Sequence, residues 1–385
     1  MRLAATTDWD GCCARLRKSA ASGFILPLTL WMIAIMGLVA ASVNVWVART
    51  VADSQALARR TELALTQSNI RNELVYLIGT RPVSTRGLEV GPEITFANIN
   101  DFGAIMTGAS DSGKTLKFDG RPYIVQNDPN MVVSIQDGTG LFNLNIATPT
   151  NLRRFLATFG VADTEANALI DALLDYVDDD DLTRLAGAEK TQYERAELPP
   201  PANGFLMTPF ELQRVMGWEK LGELWKADME TPLFTTCQAA GFNPNTAPAQ
   251  ALIANVRGLT LEKAEQAVTA RFDKPFRNIR EFGAAADILV TDEPFFYTFL
   301  PGSCVIVDVM EKNTGQRTRF SLTLETTSQT RPWRVDYAIT IPPQYRSALA
   351  HLDPQAIFPT PESIDLSGGS NDGNAKPQQP GFLGR

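Results

Sequence analysis

Two hydrophobic patterns stand end to end at the start of the chain. From Phe24 to Val47, FILPLTLWMIAIMGLVAASVNVWV, no position carries a charge. As a helix this stretch spans roughly 36 Å at about 1.5 Å per residue, enough to cross a hydrocarbon core of about 30 Å. Beyond it Leu63, Gln67, Ile70, Leu74 and Leu77 recur at three- and four-residue spacing, with Arg59, Arg60, Glu62, Arg71 and Glu73 between them. This predicts that the helix continues in amphipathic form until Gly79 and Pro82 stop it.

The pattern then shortens. Thr115 to Phe118, Tyr123 to Gln126 and Met131 to Gln136 read as strands separated by the turns Asp119-Gly120 and Asp128-Pro129. From Asn151 to about Asp287 the period becomes helical, with Leu152, Phe155, Leu156 and Phe159 on one face. Strand patterns return at Cys304 to Val309, Arg319 to Glu325 and Trp333 to Ile341, the last alternating Val335, Tyr337, Ile339 and Ile341. The expected divisions are a leader at 1–23, a transmembrane and stem helix at 24–80, β regions at 81–145 and 291–350, a helical insert at 146–290, and a disordered Pro- and Gly-rich tail at 351–385. Strands flanking a helical insertion make an α+β fold with an antiparallel sheet.

Charge narrows the class. A net charge of −8 argues against nucleic acid or an anionic membrane as partner, because phosphate binding needs clustered Lys and Arg. The single histidine, His351, removes most His-dependent hydrolase and zinc mechanisms. Arg15, Arg17 and Lys18 precede the apolar run, whereas Arg49 and Asp53 after it cancel. The positive-inside rule therefore leaves the N-terminus cytoplasmic and the bulk exported. A signal peptide, a plain anchor and a prepilin leader all meet these conditions. The third reading has a junction to support it, where a basic leader ends at Gly23 and the apolar run starts at Phe24.

Four features invite chemistry, and each has a plain alternative. Gly108 to Thr115, GASDSGKT, matches the phosphate-loop pattern, which requires a helix after Lys114; the residues that follow read as strand, so a turn is expected. Asn243 to Phe282 reads as a helix-hairpin-helix, with Asn245 or Thr246 capping its first helix and Gly258 turning the chain. The unit serves either protein packing or DNA binding. Asp171, Asp175 and Asp178 share a helix face and Asp179, Asp180 and Asp181 crowd its end, a repulsive arrangement answered by solvent or by a hard cation. Cys237 and Cys304 either pair in an oxidising compartment or remain buried thiols.

Several stretches together resemble the K-type minor pseudopilin, general secretion pathway protein K, over nearly the whole chain. FILPLTLW is similar to the family's FALL-x-x-LW start, and GTGLFNLN at Gly138 to Asn145 to its entry into the helical insert. DYVDDDD at Asp175 to Asp181, with Gly187-Ala188-Glu189 and Tyr193, resembles its Asp-rich run, and FNPNTAP at Phe242 to Pro248 its Val-Asn-x-Asn-Thr-Ala-Pro. Pro27 and Tyr176 depart from the pattern. Leu28 stands where most pilins carry a glutamate that pairs with the subunit ahead, which suits a subunit with nothing ahead of it. The resemblance implies a non-enzymatic tip subunit of the type II secretion pseudopilus, in the inner membrane with its bulk periplasmic. Its leader would be cut between Gly23 and Phe24 by a prepilin peptidase, and its partners would be I- and J-type minor pseudopilins and the assembly platform, with no nucleic acid. It implies structural calcium on Asp178, Asp180, Asp181 and Glu189. The alternative function is an exported helix-hairpin-helix DNA-binding protein of a DNA-uptake system.

Overall fold

A computed structural model describes residues 25–90, 115–239, 241–291, 296–325, 328, 331–342 and 357–358. The leader, Gly23 and Phe24, the run Gly108–Lys114, His351 and the tail other than 357–358 lie outside them. The chain divides into two compact units, Met1–Thr66 and Gln67–Arg385.

One helix, α1 (Ile25–Thr80), supplies the described part of the first unit and enters the second. Its most apolar window has a mean hydropathy of 2.1 and none of it is buried. Leu26, Leu30, Trp31, Met36 and Trp46 all lie open. By length and composition the helix can cross a membrane. Pro27 sits in the first described turn of α1, and proline is tolerated at the start of a helix, where amides lack intrahelical partners.

In the second unit the last turns of α1 bury Ile70, Leu74 and Leu77, the row that the periodicity singles out. Strands β1 (Val83–Ser84), β2 (Gly87–Glu89) and β3 (Thr115–Leu116) form a small sheet. The main sheet has the order β10-β9-β8-β5-β4-β11, from β4 (Asp119–Val125), β5 (Asp128–Asp137), β8 (Cys304–Glu311), β9 (Arg317–Leu324), β10 (Trp333–Ile341) and β11 (Ile357–Phe358). All its pairs are antiparallel except β11 on β4. Two expectations change here. The tail is not wholly without structure, because Ile357 and Phe358 pair with Ile124 and Val125 and Phe358 is buried; β4 otherwise leaves an open edge with ladder groups to satisfy. The alternation of β10 is broken by a bulge between Val335 and Tyr337.

β8 is buried at every position from Cys304 to Met310, so both faces of the sheet are covered there and polar residues must be paired. Asp308 meets Arg319 at 2.8 Å and Arg317 at 3.3 Å. Arg319 also donates to the Asp228 carbonyl at 2.6 Å, tying the sheet to α5 (Gly222–Glu230).

The helical insert leaves at Asp137 and returns at Cys304, with Asp137 opposite Val305 in register. Its first half packs α2 (Pro149–Ala157), α3 (Asp163–Val177), α4 (Lys190–Arg195) and α5 around Phe155, Tyr176, Tyr193 and Trp218. The two-stranded pair β6 (Phe142–Asn143) and β7 (Phe234–Thr235) closes it. A second core, around Leu252, Phe276 and Phe282, belongs to α6 (Ala249–Asn255), α7 (Leu261–Asp273) and α8 (Ile279–Ala285).

Candidate functional site

The acidic run lies at the end of α3. Asp171 and Asp175 project from its last turns, and Asp178 is its C-cap. Asp175 is fully buried and accepts from Arg184 twice, from Nη1 at 2.6 Å and from the backbone N–H at 3.1 Å. The same Nη1 lies 2.5 Å from Asp178 Oδ2. These two carboxylates hold the guanidinium well above its ordinary pKa. Asp171 accepts from the Ala186 N–H at 3.1 Å. Gly187 packs so closely on the Asp175 carboxylate that a methyl group would collide with it, which gives the Gly-Ala-Glu segment a steric reason for its glycine. Arg184 thus supplies part of the compensation that the repulsive spacing demands.

Glu189 is treated differently. It caps α4 and is 3% exposed. Its N–H donates to Gln192 Oε1 at 3.1 Å, while the reciprocal approach of its carboxylate to the Gln192 amide falls short of a hydrogen bond. Both Glu189 oxygens lack a donor, as does Asp178 Oδ1. Burial, then the charges of Asp175, Asp178, Asp181 and Asp180, push the Glu189 pKa up. Asp180 Oδ1 accepts from the Leu182 N–H at 2.8 Å. The structure therefore places Glu189 in the field of the whole acidic run. It does not close three or more carboxylates around one point, since no group of His, Cys, Asp or Glu arranged to hold a metal occurs among the described residues. The motif reading missed Arg184, although its position six residues after Asp178 was a legible signal of a return toward the acidic face.

A second polar centre stands where the insert joins the sheet. Asp137, fully buried, receives five donors. The N–H groups of Thr139 and Gly302 reach Oδ1, each at 3.0 Å. Thr139 Oγ1, Thr246 Oγ1 and Asn243 Nδ2 reach Oδ2 at 2.7, 2.8 and 2.9 Å. Burial still pushes its pKa up against these hydrogen bonds. Cys237 and Cys304 are joined beside it by a disulfide, with Cα atoms 6.4 Å apart. Gly140 has no room for a side chain, because a methyl would strike Thr246. The stretches GTGLFNLN and FNPNTAP thus converge on one carboxylate.

That convergence corrects the expected helix cap. α6 is capped at Pro248, not at Asn245 or Thr246, because both side chains are engaged elsewhere. Thr246 bonds Asp137, and Asn245 reaches across to the Phe276 N–H and carbonyl. The hairpin between α6 and α7 turns at Gly258, φ 77°, and Thr260 caps α7 through the Lys263 N–H. Arg271 is spent internally on the Pro244 and Ala247 carbonyls, with burial lowering its pKa to about 10. Thr115, the last residue of the phosphate-loop pattern, begins strand β3 rather than a helix.

Two sequence-family models match, both described as Type II secretion system (T2SS), protein K, one over residues 133–222 and the other over 242–292. No curated protein matches. A chain of the crystal structure of the GspK-GspI-GspJ complex from the enterotoxigenic Escherichia coli Type 2 Secretion System aligns at 16% identity over 55% of this chain and 79% of that one, with a TM-score of 0.39.

Proposed function

Because the chain belongs to the type II secretion system protein K family, we propose that this K-type minor pseudopilin caps the tip of the pseudopilus, with α1 in the inner membrane and the second unit in the periplasm. α1 carries the reading: one unbroken helix from Ile25 to Thr80, open and apolar in its first half, its last turns buried. Position follows from bulk. A globule of the second unit's length has a radius of gyration of roughly 20 Å, too wide to repeat along a tightly wound shaft. I- and J-type minor pseudopilins would continue the helical stem beneath it, and the assembly platform would receive it. Full-length chain in detergent should form a sizeable complex with those two subunits by sizing and light scattering; separate elution of all three would remove the tip assignment. The family is that of a structural secretion component, and the DNA-uptake alternative is not favoured, since the helix-hairpin-helix itself lies in a match to protein K.

Processing between Gly23 and Phe24 belongs to the same proposal, supported by the sequence junction at which the basic leader ends at Gly23 and the charge-free run starts at Phe24. Intact mass should start at Phe24, carrying a methyl group on its amine.

Calcium is proposed for the acidic loop. The donor set suits a hard cation: Glu189 offers two buried oxygens without donors and Asp178 one, with Asp180 and Asp181 alongside. A bound cation would supply the positive charge that Arg184 gives to Asp175 and Asp178 but not to Glu189. Its role would be structural, fastening the end of α3 to the start of α4.

A further inference from the structure

Beside the last turns of α1, at the start of edge strand β10, the second unit has a hollow of about 450 Å³. Arg71, Arg331 and Arg334 line it with Trp333, and among the described lining residues Glu325 is the one acid. That glutamate is already engaged by Arg334 at 2.6 Å, and Arg334 also holds Asp336 at 2.8 Å. Arg331 makes no ion pair among the described residues, and its backbone N–H donates to Ser328 Oγ at 3.5 Å. Among the described residues Arg71 donates to the Ser68 hydroxyl, at 3.2 Å, and its Nε is buried without an acceptor. One turn earlier, Gln67 Nε2 is buried without an acceptor as well.

A surplus of positive charge and two orphaned donors on one side of a helix ask for an acceptor from outside. The hollow departs from the acidic character of the chain, whose net charge is −8. A guanidinium fork matches a carboxylate in a bidentate way, and Trp333 offers an apolar wall to the stem of the side chain that bears it. Among the described residues β10 is also the outermost strand of its sheet, the kind of edge to which an incoming chain can add.

We propose that this hollow receives a carboxylate from an acidic segment of a neighbouring pseudopilin, docked between the last turns of α1 and the outer edge of β10. The inference rests on the pseudopilin reading and adds the residues through which a neighbour is held: Arg71 and Arg331 pair with the incoming acid, while Arg334 remains with Glu325 and Asp336.

The test uses full-length chain in detergent and full-length I- and J-type subunits, with affinity measured by fluorescence at two salt concentrations. Arg71→Glu with Arg331→Glu should weaken binding by about ten-fold or more and reduce its salt dependence. Arg331→Glu alone alters an exposed residue, so it keeps the test valid if the double variant misfolds, and it should give a smaller loss in the same direction. A Lys replacement at the matching partner acid should restore binding to the Glu variant. Unchanged affinity and salt slope in Arg331→Glu and the double variant would overturn the hollow while leaving the pseudopilin assignment intact. Failure of the wild-type chain to bind either subunit would overturn both. Inorganic phosphate competing at constant ionic strength would reassign the hollow to a small anion and overturn the docking proposal.

Discussion

Asp137 and Glu189 are both carboxylates sealed from solvent, and the fold handles them in opposite ways. Asp137 makes no ion pair among the described residues and is surrounded by donors. The Glu189 oxygens accept no hydrogen bond among the described residues, and the carboxylate sits in the field of four aspartates. A buried anion needs its lone pairs satisfied or its charge matched. The junction meets that need from within the chain, through backbone amides, an amide side chain and two hydroxyls. The acidic loop meets it only for Asp175 and Asp178, through Arg184. The first region is therefore satisfied as folded, whereas the second leaves both oxygens of Glu189 and one of Asp178 without donors among the described residues.

Removing the Asp137 carboxylate should break the comparison most severely. Asp137→Ala strands five donors, two of them backbone amides that no rotamer change can redirect. A loss of about 3–5 kcal/mol is expected, read by chemical denaturation. A loss under about 1 kcal/mol would mean that water replaces the carboxylate and that the junction is not closed.

The disulfide beside it should matter next. Cys237 and Cys304 close a loop of 67 residues in separation that contains the whole second helical core. Cys304→Ser should cost about 2–4 kcal/mol, with the Asp137 contacts holding the insert in place. Hydrogen exchange should then show protection of α6 and α7 lost to a greater extent in Asp137→Ala than in Cys304→Ser; the reverse order would make the covalent link the principal anchor.

For the acidic loop the expected signs are inverted. Calcium at one hundred times its dissociation constant would stabilise the chain by roughly 2.7 kcal/mol, and Glu189→Ala or Asp180→Ala should abolish the rise in melting temperature. Without calcium, Glu189→Gln should raise the melting temperature slightly, because it removes an unpaired buried charge. A fall on that substitution, or a melting curve indifferent to calcium and chelator, would reduce the run to a solvated acidic surface.

How much of this was legible beforehand depended on whether the cause was local. The break from a charge-free run to a three-and-four repeat located α1, and the repulsive Asp spacing marked the loop as a place needing compensation. Arg317, Arg319 and Asp308 were hidden, because alternation in a strand identifies one inward face and β8 has two. Asp137 was hidden for a related reason: its partners Asn243, Thr246 and Gly302 are remote in sequence and meet it only once β5 and β8 lie side by side. Asn245 and Thr246 look like capping residues in isolation, and tertiary hydrogen bonds claim them first. Phe358 sits in a Pro- and Gly-rich stretch, and only the open edge of β4 makes it part of the sheet.

The smallest expected effect concerns pH. Burial outweighs the hydrogen bonds at Asp137, so its folded pKa lies above the ordinary carboxylate value of about 3.9. The folded state then holds a proton that the unfolded chain has released, and stability falls as pH rises from about 3.9 through the folded pKa. Asp228, also buried and shifted upward, contributes in the same direction. Asp137→Asn cannot titrate. Its Oδ1 can still accept from the Thr139 and Gly302 amides, and its Nδ2 can donate to the Thr139 and Thr246 hydroxyls, though it opposes Asn243 Nδ2. Denaturation between pH 4 and pH 7 should therefore show a shallower slope in Asp137→Asn than in the wild type, with the remaining slope carried by Asp228 and Glu189. If the variant instead loses stability toward low pH less steeply than a wild type that is itself destabilised by acid, the five donors outweigh burial and Asp137 is an anion throughout.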